Sequence, residues 1–360
     1  MHDTSTQTRS VTLKQIAEMA GCSTAVASTV LNNSRSTLAV SAGTRQRIEE
    51  IARRHNYRPH LAARMMKSRK SYQVGVLLMG TVFRNLPHPA VFETVLGINE
   101  GLERAGYLMS LVRMTDIEKD NLLSTRLFEG HLLDGLMVVN LIQPELVRKI
   151  ESLVPQCIWV DTEVWRAERC IRRDEVHAGR LATEALIKLG YEKLLVIERE
   201  QEQVMHYSFA QRLQGVEEVA REQRIELERF YLPPGGNAER CLPQLLERLS
   251  PDVGMVMLDA YGAQKVATAA SSIGLQAGYH YGVVCCDDQE HSTERPWPGL
   301  NRVSFDRYAM GVQAAEMMLR ALREPTEQEP AGNCTSYMMR GRWVCGNTAW
   351  GPGLREMPQV

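Results

Sequence analysis

The chain has 360 residues, 44% of them hydrophobic, and its 42 basic and 43 acidic residues leave a formal net charge of −1. That length exceeds one small core and suits a head of about 60 residues plus a body of roughly 290 in two lobes. No apolar run approaches the ~18 residues of a membrane span, the polar start Met1–Ser10 lacks the apolar core of a signal peptide, and the eight cysteines lack C-x-x-C spacing, which excludes a zinc ribbon and suits reduced thiols in a cytoplasm.

Leu13, Ile16, Ala17 and Ala20 recur at i, i+3, i+4 and i+7, one apolar stripe on a short helix. Gly21 ends it and Ser23 is placed to cap a second helix, which buries Val26, Val30 and Leu31 and leaves Thr24, Ala25, Ser28 and Thr29 facing out. Two short helices around a glycine turn predict a helix-turn-helix, whose second helix fits a DNA major groove. Charge supports a polyanion partner. Residues 1–71 carry 12 Lys/Arg and 4 Asp/Glu, whereas the remainder carries 30 basic and 39 acidic residues. Basic side chains gain affinity for phosphates through counterion release, so the segregated charge points the head toward nucleic acid. Pro59 suits the first turn of another helix through Ser68, with Arg64, Lys67, Arg69 and Lys70 supplying further charge.

Beyond residue 71 the pattern alternates strand and helix. Strands are expected at Gln73–Met79, Leu108–Arg113, Gly135–Val139 and Cys157–Val160, with helices at Ala90–Ala105, Lys119–Glu129 and Pro144–Leu153 between them. The rhythm repeats as helix His177–Leu189, strand Lys193–Ile197, helix Ala210–Glu222, strand Phe230–Leu232, helix Ala238–Leu249, strand Gly254–Met257, helix Gln264–Ile273 and strand Gly282–Cys285. A helix around Asp306–Leu322 and a strand around Cys334–Cys345 close the chain. Such alternation predicts an α/β fold of doubly wound parallel sheets, which bind ligands at the carboxyl ends of strands. Polar residues stand at those ends: Asn140 after D-G-L-M-V-V, Asp161 after Q-C-I-W-V, and Asp287 after V-V-C-C. Arg212 opens R-L-Q-G. Carboxylates accept and guanidinium donates, so the set can bind adjacent sugar hydroxyls. The same residues would also serve as helix caps or ion-pair partners. Trp159, Trp165, Phe83 and Trp297 offer a stacking face, or core. Neither G-x-S-x-G nor G-x-G-x-x-G occurs, and no His or metal spacing accompanies Asp287-Asp288, which argues against an enzyme, a metal site or a cofactor. A solute-binding protein of the periplasmic sugar-binding type is the alternative, and the basic head argues against it.

The motifs V-T-L-x-x-I-A-x-x-A-G at 11–21, S-x-x-x-x-S-x-V-L-N at 23–32, V-S-x-x-T-R-x-R-I at 40–48 and N-Y-x-P-x-x-x-A-R at 56–64 resemble those of the lactose-repressor/galactose-repressor (LacI/GalR) family of bacterial transcription regulators. The resemblance runs over nearly the whole length. It implies a helix-turn-helix domain at 1–58, a hinge helix and linker at 59–71, and a two-lobed core at 72–360 resembling periplasmic binding proteins. The expected N-lobe is 72–163 plus 306–325, and the C-lobe 164–305 plus 326–360. Ser28, Ser41, Thr44 and Arg45 would contact phosphates, and Thr24, Ala25 and Thr29 would read bases. Thr12, Ser23, Asn32, Tyr57, His60 and Arg64 complete the implied DNA set, with Met66 as the minor-groove wedge. The family usually has Arg where this chain has Thr29, so direct readout is expected to be weaker, because Thr lacks the bidentate contact to guanine. Asn140, Asp161, Arg212 and Asp287 match effector positions. Leu258-Asp259 replaces the usual Asn-Asp, and Cys285 and Cys286 replace a glycine and an aromatic, which weakens transfer of any particular sugar. The implied function is a repressor, a cytoplasmic homodimer with no membrane association, that binds double-stranded operator DNA under control of a small polar effector, a sugar or sugar derivative.

Overall fold

A computed structural model describes residues 11–31, 40–57, 70–79, 89–114, 132–140, 142–199, 206–232, 238–287, 299–323 and 334–350. By its internal contacts the chain separates into two units, Met1–Ser71 and Tyr72–Val360. The expected helix at 119–129 and Pro59–Ser68 lie outside the described residues, as do Asn32, His60, Arg64, Met66, Phe83 and Trp297.

The first unit packs α1 (Leu13–Ala20), α2 (Thr24–Leu31) and α3 (Ala42–Arg54). Thr12 and Gln15 form a capping box at the start of α1, and Gly21 ends that helix in the left-handed region, at φ 64°. Its backbone N–H closes on the Ala17 and Glu18 carbonyls. Ser23 accepts from the Val26 N–H at 3.2 Å, and Ser41 caps α3 by accepting from Thr44 N–H. The three helices bury Ile16, Ala17, Ala20, Ala27, Val30 and Ile48. Two details differ from the expected pattern. Ala27, not Val26 or Leu31, is the fully buried partner of Val30, because a small side chain lets the helices approach. Thr29, expected to face out, is 9% exposed.

The second unit holds two six-stranded sheets. The first is built from β1 (Gln73–Met79), β2 (Leu108–Met114), β3 (Gly135–Val139), β4 (Cys157–Val160) and β5 (Cys170–Arg173). Helix α4 (Pro89–Arg104) follows β1 and α5 (Pro144–Leu153) follows β3. Helix α6 (Glu175–Lys188) then leads into the second sheet, which comprises β6 (Lys193–Arg199), β7 (Glu226–Leu232), β8 (Val253–Met257), β9 (Gly282–Cys285) and β10 (Asn301–Ser304). Helices α7 (Tyr207–Gln223), α8 (Ala238–Leu246) and α9 (Ala260–Ser272) connect those strands. Helix α10 (Arg307–Ala321) leads back toward the first sheet, where β11 (Tyr337–Met339) pairs, and β12 (Arg342–Val344) closes the second. The strand orders are β11-β5-β4-β3-β1-β2 and β12-β10-β9-β8-β6-β7. All pairings are parallel except β10 with β12.

The chain therefore crosses between lobes three times, at 173–175, 304–307 and 339–342. This corrects the expected boundaries: residues 164–173 and 334–339 belong with the first sheet, and the single strand expected at 334–345 is two strands split at Arg340-Gly341. The charged end of C-I-R-R disguised β5 as a surface segment, although Arg173 is buried against carboxylates and Arg172 is half-buried. One apolar cluster extends through both lobes, from Val74 and Ile98 to Val256 and Val303. Glycines close two helix crossings. A Cβ at Gly97 or Gly311 would fall inside contact with the Tyr308 or Thr94 carbonyl, joining α4 to α10. A Cβ at Gly179 or Gly215 would meet the Arg212 or Val176 carbonyl, joining α6 to α7.

Candidate functional site

In the head, the expected DNA-contacting residues cluster at helix starts. Thr12, Ser23 and Ser41 are N-caps and are exposed, as are Thr24 and Ala25, while Ser28 and Thr44 are half-exposed. Helix N-termini present N–H groups and a positive dipole end, which favours phosphate there. Thr44 shares a 2.9 Å hydrogen bond with Ser41. Arg45 lies 3.9 Å from Glu49, whereas exposed Lys14, Arg47 and Arg53 have no carboxylate partner among the described residues. Tyr57 packs against the head's core, and burial raises its phenol pKa. Thr29 does not stand on the reading face: its hydroxyl donates to the Ala25 carbonyl at 2.9 Å. A threonine satisfied one turn back on its own helix has no free donor for a base. Outward from α2 stand only Thr24, Ala25 and Ser28.

In the core, Asn140 and Asp161 end adjacent strands β3 and β4, both in the left-handed region at φ 68° and 55°. Their N–H groups still bond the neighbouring strand, to the Val160 and Ile171 carbonyls at 2.9 and 2.7 Å, before the chain turns away. Left-handed non-glycine residues cost free energy, and such strain gathers at functional sites. Asp161 is 8% exposed. It accepts from Arg173 Nε at 3.1 Å and from the Tyr207 hydroxyl at 2.6 Å. The Tyr207 oxygen in turn accepts from the Arg173 N–H at 3.0 Å, and His206 Nε2 lies 2.8 Å from the Asp161 carbonyl.

Arg212 is 1% exposed and sits at the centre of a larger network. It grips Glu175 with two bonds, Nε at 2.7 Å and Nη2 at 2.8 Å, and donates Nη1 to the Leu258 carbonyl. Its Nη2 also lies 3.0 Å from Asp287. Asp287 pairs with Arg307 and lies 3.6 Å from Arg173, and Arg173 closes the ring on Glu175 at 2.7 Å. Three guanidiniums and three carboxylates thus neutralise one another at the first two lobe crossings. At the third, Asp174 N–H donates to the Met339 carbonyl at 2.7 Å, and Arg340 lies 3.9 Å from the Asp174 carboxylate.

Burial alone would raise the Asp161 carboxyl, but Arg173, His206 and the Tyr207 hydroxyl outweigh it and hold the group well below the usual carboxylate range. Burial likewise opposes ionisation of Asp287, and Arg212, Arg307 and Arg173 override it. Burial, then the Asp161 charge, pushes the Tyr207 phenol far up, so it stays a donor. The Cys286 thiol is pushed up to about 12 by burial and is inert.

The structure thus joins Asp161, Arg212 and Asp287 in one ion-pair network and places Asn140 beside Asp161 at the strand ends. Sequence reasoning missed Arg173, Glu175, His206, Tyr207 and Arg307. The available signal was the charged step R-R-D-E directly after an apolar strand. Asp259, standing where the family has its Asn-Asp pair, caps α9 by accepting from Gly262 N–H at 2.7 Å. Trp159 is core, 2% exposed. Trp165 is partly exposed and stacks on Arg172 at 4.3 Å. No group of metal-ligating side chains occurs among the described residues, and no described helix is long and apolar enough to cross a membrane.

A small helical head joined to two parallel-sheet lobes with a polar network at their crossings defines a class: helix-turn-helix proteins with a periplasmic-binding-protein-like body. Residues 12–60 match the model for bacterial regulatory proteins, lacI family, and residues 183–342 match the periplasmic binding protein-like domain. The head is thus a lacI-family regulatory domain and the body carries a periplasmic binding protein-like domain. The chain is 25% identical to the ribose operon repressor of Haemophilus influenzae over 88% of its own length and 93% of the relative's. It is also 25% identical to the HTH-type transcriptional regulator CelR of Thermobifida fusca, over 89% and 94%. The lac repressor dimer bound to operator and an anti-inducer shares the fold, with a TM-score of 0.69 at 20% identity, covering 95% of this chain and 100% of that one.

Proposed function

We propose that this protein is a sequence-specific DNA-binding transcriptional regulator, a repressor whose operator affinity is set by a small polar effector, a sugar or sugar derivative. The observation that carries this reading is the joining of a LacI-type head to a core whose buried polar network sits where the chain crosses between lobes. Named relatives support it: one is a ribose operon repressor, and a structural neighbour of the same fold is a CelR–cellobiose complex. The head takes residues 1–58, the hinge 59–71 and the effector-binding core 72–360.

The effector is held at the strand ends by Asn140, Asp161, Arg212 and Asp287. Because the last three are held in one ion-pair network through Arg173 and Glu175, a sugar hydroxyl enters by substituting for one of its bonds, and this ties occupancy to the contacts between lobes. An effector shifts the balance only through different affinity for the two arrangements. A coupling of about 1–3 kcal/mol is typical. Two copies act together on a twofold operator in the cytoplasm. Phe92 and Leu96, one turn apart on α4 and 53% and 43% exposed, supply an apolar stripe for the second copy. Met66 acts as the wedge at the operator centre, and Met66→Asp is expected to abolish DNA bending in a circular-permutation gel assay; unchanged bending would remove the wedge.

The test is a gel-shift series on the chain's own promoter region, at stated salt, across a panel of sugars. Retarded DNA whose affinity changes with one sugar is expected. A protein that sediments as a monomer and retards no promoter fragment at low salt is not such a regulator.

A further inference from the structure

One arginine of the core is held differently from those around it. Arg173, Arg212 and Arg307 are tied to carboxylates at the lobe crossings, and Arg166, Arg180, Arg229 and Arg248 pair with glutamates. Arg172 lies instead over two aromatic rings. Its guanidinium carbon lies 4.3 Å from the centre of Trp165 and 5.0 Å from the centre of Tyr207. It has no ion pair or side-chain hydrogen bond among the described residues, and its Nε is buried without an acceptor. Trp165 belongs to the segment after β4 in the first lobe, and Tyr207 opens α7 in the second. The ring that covers Arg172 carries the hydroxyl bonded to Asp161 at 2.6 Å. Ile171, the residue before Arg172, accepts the Asp161 N–H, so Arg172 stands level with Asp161 at the strand ends. It is half-buried, and Trp165 is 36% exposed, so a ligand can approach.

The charge of the neighbourhood gives this arrangement its meaning. Asp161, Glu175 and Asp287 are matched one for one by Arg173, Arg212 and Arg307, and Arg172 stands beside them with no carboxylate partner among the described residues. Contact with two rings holds the guanidinium in place by cation–π attraction, and its N–H fork can take an acceptor. A carboxylate or phosphate fits such a fork in a bidentate manner, whereas a neutral hydroxyl uses one donor only.

We propose that Arg172 binds an oxyanion group of the effector, which is a polyol carrying a carboxylate or a phosphate, with Trp165 as one wall of that subsite. The proposal rests on the effector-site reading above and deepens it by fixing the ligand's charge.

The test is calorimetric titration of the full chain with glucose, galactose and ribose, each offered as the neutral sugar, the sugar acid and the terminal phosphate ester. The acid and phosphate arms separate the two sources of oxyanion. Wild type, Arg172→Met, Arg172→Lys and Asp161→Asn are compared, with folding of each checked by circular dichroism. The expected result is binding of an anionic member only, weakened on the order of 30-fold in Arg172→Met and partly retained in Arg172→Lys. A neutral sugar that binds wild type as tightly as its anionic forms overturns the proposal. So does an anionic ligand that binds Arg172→Met as tightly as wild type while losing affinity in Asp161→Asn, and both outcomes leave the effector site standing. Indifference to both variants, or a panel from which nothing binds, overturns the effector-site reading and the proposal with it.

Discussion

In the head, Thr24, Ala25 and Ser28 look outward from a short helix, with caps Thr12, Ser23 and Ser41 exposed and Lys14, Arg47 and Arg53 without a carboxylate partner among the described residues. In the core, Asp161, Arg173, Glu175 and Arg212 are withdrawn from water and bonded in a chain. The head keeps its polar groups for a partner that brings its own charge, and the core spends its polar groups on itself. Removing a polar group from the head should therefore alter DNA binding and leave the fold nearly intact. Removing one from the core should threaten the fold first, because a buried charge without its counter-charge is strongly unfavourable.

The largest test of this contrast is Arg212→Met. It leaves Glu175 and Asp287 short of a counter-charge and should destabilise the core by about 3–5 kcal/mol in urea unfolding. A loss within 1 kcal/mol would mean that the network behaves as a surface one. Next is Gly179→Ala, whose added methyl meets the Arg212 carbonyl. Pushing α6 and α7 apart should cost about 1–3 kcal/mol, and repair by a second substitution on α7 would locate the strain.

The contrast also has a pH signature. Asp161 and Asp287 are held below the ordinary carboxylate value in the folded protein. The stability they contribute is present above the unfolded value of about 3.9 and is lost as the pH falls below it toward their folded values. Urea midpoints of the core should drop steeply below about pH 4. Arg173→Met should flatten that fall, and an unchanged slope would separate Asp161 from it. In the head, Ser41→Ala should cost about 1 kcal/mol of local stability and weaken operator binding alike for all sequences, as loss of a phosphate-end contact does. The smallest effect is expected for Thr29→Val, which removes only the bond to the Ala25 carbonyl. Binding-site selection from random DNA should return an unchanged operator, whereas a shifted consensus would return Thr29 to the reading face.

The two regions also differed in how far the chain alone disclosed them. Helices α1 and α2 are specified within a few residues, by Thr12, Gly21, Ser23 and the i, i+3, i+4 stripe, so the head could be read locally. Strands β1, β3, β4 and β9 are apolar runs with sharp polar ends, and their bounds followed from composition. Strands β5 and β10 did not, because C-I-R-R and N-R-V-S are short and carry charge that only partners from elsewhere make acceptable inside. Helix α7 begins three residues before the expected start because its cap is His206, a residue that carries no such signal. Asp161, Arg212 and Asp287 stood out as polar ends of buried segments. Their engagement with Arg173, Glu175 and Arg307 was invisible, since the paired groups stand 12, 37 and 20 residues apart on different elements that only the folded sheets bring together.

The glycine-closed crossings carry a mechanical consequence. With no room for a methyl group between α4 and α10 or between α6 and α7, neither lobe has slack to absorb deformation. Two stiff slabs linked by three short peptide segments have few compliant directions, and torsion about those links is the softest. Under the proposed effector site, work done by a small molecule at the strand ends would then be delivered as a turn of one slab against the other, with little lost to internal loosening.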